Sequence, residues 1–131
     1  MARNLLPISI FLPLVLVGCS LHSEQVLSTA SPDHAAVATL IEKTGGGAAV
    51  SAEYDLYLSS PGEGRGDRVF WATYCGGISL TWQGNKTLLL EYYPLCHIRD
   101  FQNKWWNKQA IKNAEGPTVE VVLVRRPGAD Q

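Results

Sequence analysis

Histidine is scarce in this chain, being confined to His22, His34 and His97. They show no H-x-x-x-H spacing, and no pair of C-x-x-C motifs accompanies them, so no metal-binding pattern is present. No G-x-S-x-G elbow and no phosphate-binding loop occurs either. Gly45-Gly46-Gly47 lacks the lysine and the helix start of a phosphate cradle and reads as a turn. Neither sign of charge dominates. Eleven Lys and Arg against 12 Asp and Glu give a formal net charge of −1, which implies no basic face for nucleic acid. Long apolar runs are missing except for residues 5–17. A membrane-spanning helix needs about 20 apolar residues; this run is shorter and contains Pro7, Ser9 and Pro13. No cofactor is therefore expected and no catalytic residue is nominated.

The one apolar run follows Arg3 and ends on Gly18-Cys19-Ser20. A charged start, a short apolar stretch and small residues after it make a secretory signal. Leu16-Val17-Gly18-Cys19 resembles the lipobox of bacterial lipoproteins, with Val17 where Ala or Ser is usual. The resemblance implies that residues 1–18 are removed as a signal peptide. It also implies that Cys19 becomes the lipid-bearing first residue, anchored to a membrane without spanning it. For that family Ser20 further implies outer-membrane sorting, facing the periplasm, in a Gram-negative host. The competing reading is ordinary cleavage after Ser20, with Gly18 and Ser20 as the small residues.

Cys75 and Cys96 remain. In an oxidising compartment the pair suggests one disulfide; two buried free thiols acting as small hydrophobes are the alternative.

Residues 20–33, rich in serine and without sustained periodicity, read as a tether with a reach of roughly 20 Å. The expected division is signal peptide 1–18, lipid attachment and tether 19–30, β-rich domain 31–126 and tail 127–131. Within the domain the dominant pattern is period two, the mark of strands with one buried face. Residues 34–43 are apolar and partly β-branched. In 49–59, Val50, Ala52, Tyr54, Leu56 and Leu58 share a face opposite Ser51, Glu53 and Asp55. A loop by composition follows at 60–66. Residues 69–74 are apolar on both faces, and 118–126 are strongly β-branched. Between 78 and 93 a hairpin is expected; a two-residue loop at Gly84-Asn85 mismatches its faces, whereas a three-residue loop matches them, with Trp82 opposite Leu88, Leu80 opposite Leu90 and Ile78 opposite Tyr92. That register brings Cys75 and Cys96 to the same end. Asn85-Lys86-Thr87 fits an N-glycosylation pattern, which is read as chance in a bacterial chain. For residues 97–112, Ile98, Phe101 and Trp105 have helical spacing; a short helix and an irregular strand through 99–105 are both open. The expected fold is mainly β: a small antiparallel sandwich or roll of about six strands.

Two further segments carry a resemblance. Ser31-Pro32-Asp33 resembles the S-P-D-G openings of β-propeller blades, with His34 in place of Gly, and Trp82 to Leu88 resembles their W-x-x-x-x-T-L motif. The domain is too short for the four or more blades of a propeller. It is more similar to short bacterial proteins of unknown function that share both motifs, some with an F-x-N-x-W stretch like Phe101 to Trp105. That group implies a small β-rich domain and no catalytic residues.

Cys96-His97 with Asp100 is the closest approach to a reactive cluster, but a disulfide-bonded cysteine is no nucleophile. Glu91 and Glu120 read as solvent-facing strand positions. The aromatic stretch from Tyr92 to Trp106 is less bland. With Arg99, Lys104 and Lys108 interleaved, the candidate binding patch is Tyr93, Arg99, Lys104, Trp106 and Lys108. Trp105, in register with Ile98 and Phe101, is expected in the core. The resulting expectation is a lipid-anchored, non-enzymatic binding or structural module with an envelope protein partner. An inhibitor of an exogenous hydrolase such as lysozyme, and an enzyme with an unrecognised site, are the alternatives.

Overall fold

The computed structural model describes residues 22–45, 52–107 and 118–128. The expectations for the signal segment, Cys19, Lys108 and residues 108–112 lie outside them. Among the described residues nine strands follow in chain order: β1 (His22–Ala30), β2 (Val37–Gly45), β3 (Ala52–Ser59), β4 (Asp67–Cys75), β5 (Ile78–Trp82), β6 (Thr87–Tyr92), β7 (His97–Phe101), β8 (Lys104–Trp105) and β9 (Val119–Arg125). They form two sheets, β1-β2-β3-β4-β7 and β5-β6-β9-β8. The fold is thus a small, mainly β two-sheet sandwich with more strands than expected, and the pairing is antiparallel except between β6 and β9, which run parallel.

The alternation read from the sequence sets the core. Leu40, Leu56 and Phe70 lie side by side across the first sheet and meet Leu88, Leu90, Val119 and Val121 of the second. Leu56, Phe70, Leu88, Leu90 and Val119 have no exposed surface, and each such side chain contributes roughly 1.5–3 kcal/mol on burial. The β5–β6 hairpin has the expected register, with Ile78 opposite Tyr92, Leu80 opposite Leu90 and Trp82 opposite Leu88. Its loop closes through the Gln83 amide donating to the Thr87 carbonyl at 2.8 Å.

Two readings are corrected. Residues 22–30 are not a tether: they form β1, paired along its whole length with β2. An edge strand has one neighbour, so it needs no continuous apolar face, and a serine-rich segment meets that requirement. Residues 97–105 contain no helix but the strands β7 and β8. Ile98 and Phe101 pair with Ala72 and Phe70, while one residue, Trp71, lies opposite the intervening Arg99 and Asp100. This bulge puts both inward side chains three positions apart and so imitates a helical spacing.

The strand registers define two ends. At the proximal end β1 begins, and with it lie the Cys75 terminus of β4, the first residue of β5, the Tyr92 terminus of β6, the start of β7 and the Arg125 terminus of β9. Cys75 and Cys96 are bridged there, with Cα atoms 4.0 Å apart. At the distal end the sheets are tied by polar contacts. The Trp82 indole donates to the Thr29 carbonyl at 3.2 Å, and the Asp33 amide to Asn85 Oδ1 at 2.9 Å. The two segments singled out by resemblance are therefore in contact.

Candidate functional site

The residues of the expected patch divide between the two ends, because β7 runs between them. A five-residue strand spans about 16 Å. Tyr93 stays proximal, its ring 5.7 Å from the Arg126 guanidinium and packed against Gly77, where an added Cβ would come within 2.9 Å of it. Arg126 is itself committed: Nε donates to Glu91 at 2.6 Å and Nη2 to Ser79 at 2.8 Å. Arg99 is turned outward by the bulge and donates to Thr73 Oγ1 at 2.9 Å. Lys104 and Trp106 are distal, and line a cleft of about 390 Å³ with Asp67, Arg68, Gln102 and Trp105.

The distal cleft has fixed walls. Trp105 is buried, and its indole N–H donates to Asp67 Oδ2 at 3.0 Å. Arg68 donates to Asp55 Oδ1 at 3.2 Å and lies over the Trp71 ring at 5.0 Å. Asp55 points to the outer face yet is buried, with Lys43 Nζ 3.4 Å from its second oxygen. That ammonium supplies opposite charge without an aligned hydrogen bond, since Asp55 Oδ2 has no hydrogen-bond partner among the described residues. Arg68 is therefore held in place by an ion pair and a stacked ring, while Lys104 and the half-exposed Trp106 present an ammonium and an indole to solvent. Such a surface suits recognition of acidic or aromatic groups. Asp67 and Arg68 were not legible as part of it: they precede the apolar run of β4 and look like loop residues.

A second cleft lies toward the proximal end. Two adjoining hollows of about 450 and 310 Å³ share Glu42 and Tyr54 as lining. The Tyr54 hydroxyl is paired with Glu42, and burial, with the adjacent carboxylate, pushes its pKa up to about 12. The sign of the consequence follows from linkage. Below the ordinary tyrosine value, near 10, folded and unfolded Tyr54 both keep the proton; above it only the unfolded chain releases it. Stability should therefore fall between about pH 10 and 12, by roughly 2–3 kcal/mol in total. Denaturant unfolding across that window should show a shallower decline for Tyr54→Phe than for wild type. Parallel declines would assign the alkaline loss to other groups.

Cys96 and His97 are engaged elsewhere. Cys96 is in the disulfide, and the His97 ring packs edge-on against Tyr74 at 5.5 Å. Among the described residues no group of three or more His, Cys, Asp or Glu is placed to hold a metal ion. Asp33 does what a turn aspartate does: it accepts from Ser31 Oγ at 2.7 Å and from the Ala35 amide at 3.1 Å. These bonds, the Ser31 one foremost, hold its carboxyl below the usual range. No protein-family model, curated protein or solved structure matches the chain.

Proposed function

We propose that the chain is a lipid-anchored protein of the bacterial cell envelope whose sandwich is a non-catalytic binding module, offering its distal cleft to an envelope protein. One observation carries this reading: Trp106, Lys104 and the fixed Arg68 line a cleft at the end away from the start of β1. Cys19 precedes β1 in the sequence, so lipid on that residue would direct the cleft away from the membrane. Buried aromatic and arginine anchors are what protein interfaces use. In a Gram-negative host the cleft would then face the periplasm from the outer membrane.

A single preparation tests both halves. Cells making the tagged chain are labelled with radioactive palmitate, cross-linked, and the chain is recovered from solubilised membranes. Label is expected in the wild type and not in Cys19→Ser. One stoichiometric envelope protein is expected with the wild type, with recovery reduced about tenfold or more by Trp106→Ala. An unlabelled, soluble wild type would overturn the anchor. Recovery unchanged by Trp106→Ala would overturn the cleft as the binding site.

A further inference from the structure

The proximal end carries an unusual set of exposed side chains. Leu95 is 78% exposed and Tyr74 is 59% exposed. They flank the two cysteines of the bridge, Tyr74 just before Cys75 and Leu95 just before Cys96. Tyr74 is held with φ of 54°, a left-handed conformation that a bulky residue seldom adopts. The connection is also fastened by the Gly76 amide donating to the Leu95 carbonyl at 3.3 Å. Two apolar side chains thus project from a cross-linked, rigid corner. Val124 and Arg125, both exposed, close the nearby terminus of β9.

The start of β1 lies at this same end, since His22 pairs with Gly45 while Ala52 pairs with Cys75 on the next strand but one. Only Ser20 and Leu21 separate Cys19 from His22. Three Cα steps span at most ~10 Å. A domain fixed to lipid through so short a connection cannot stand clear of the headgroup layer, which is itself of similar depth.

We infer that the proximal end docks into the headgroup layer of the membrane that receives the Cys19 lipid. Leu95 and Tyr74 enter the interface, and Arg125 meets lipid phosphate. The inference rests on acylation of Cys19. A leucine and a tyrosine at that depth are what an interfacial contact requires, the leucine buried among acyl chains and the tyrosine at headgroup level. An arginine beside them matches anionic lipid.

The native tryptophans make the test clean. Trp82, Trp105 and Trp106 lie distally and Trp71 mid-sheet, so none is near the proposed contact. The full lipidated chain is reconstituted into vesicles of phosphatidylethanolamine and phosphatidylglycerol carrying brominated acyl chains, and its fluorescence is compared with that in unbrominated vesicles. Wild type should be unchanged. Leu95→Trp should lose roughly one fifth of its emission, the share of one tryptophan in five, and Tyr74→Trp the same. Gln83→Trp, on the distal hairpin loop, should lose none. Intact mass reports the Cys19 lipid on each sample. Lipidated Leu95→Trp and Tyr74→Trp that stay as bright as Gln83→Trp would overturn the docking and leave the anchor standing. Equal quenching of all three would overturn the orientation. Unmodified Cys19 would overturn docking and anchor together.

Discussion

Trp105→Ala should lower the unfolding free energy by about 3–5 kcal/mol, and Trp106→Ala by less than about 1 kcal/mol. The two residues are adjacent in sequence and opposite in setting. Trp105 is 4% exposed and Trp106 is 48% exposed. Trp105 pairs with Val119 on β9, so its ring closes the core at the distal end, and its indole N–H satisfies Asp67. Truncation would leave a cavity at a sheet junction and remove the donor from a carboxylate. Two penalties therefore act together. Trp106 lines the cleft and closes no core, so its loss should appear in binding and not in folding. Urea unfolding of both variants, with slopes compared as well as midpoints, decides the matter. Equal losses would mean that the ring of Trp106 carries part of the core.

Replacing both bridged cysteines by alanine should cost about 3 kcal/mol by the loop-closure argument. The bridge spans a sequence separation of 21 residues, and that loop contains the β5–β6 hairpin. Without it, β7 must find the edge of β4 while a whole hairpin of the other sheet hangs between them. The cost arises mainly in the unfolded chain, so the native spectrum of the double variant at low denaturant should resemble the wild type. The bridge itself is checked by intact mass after thiol blocking without reductant. Two alkylated thiols would show that it does not form; an unchanged denaturation midpoint in the double variant would show that the loop argument fails.

How much of this was readable beforehand depended on how local the signal was. The β5–β6 hairpin was legible to the residue, because a three-residue loop, unlike a two-residue one, keeps Trp82, Leu80 and Ile78 on one face with Leu88, Leu90 and Tyr92. β1 was illegible because an edge strand buries little and therefore needs little pattern. β7 was misleading for a physical reason: the bulge at Arg99 and Asp100 sets Ile98 and Phe101 three positions apart, and Trp105, on β8 of the other sheet, falls four further on, so that together they imitate a helix. The parallel pairing of β6 with β9 joins segments far apart in sequence, and nothing in either marks the other. The described residues of the candidate patch lie apart for the same kind of reason. Tyr93 and Trp106 are near in sequence, but the strand between them carries them to opposite ends. Lys104 and Trp106 were nominated by composition, whereas Asp67 and Arg68 reach the same cleft through tertiary structure alone.

The parallel partnership of β6 and β9 imposes a timetable. Strands are made in chain order, so the first sheet, which uses nothing beyond Phe101, has all its members before β9 exists. Until then β6 has β5 on one side and an open backbone edge on the other, with Leu88 and Leu90 lacking Val121 and Leu123 beside them. A nascent or unfolded chain in that condition presents both an apolar face and a strand edge, the two features that recruit other chains into aggregates. Any product interrupted before Val119 would keep them permanently, and should depend on chaperone capture or proteolysis for its disposal.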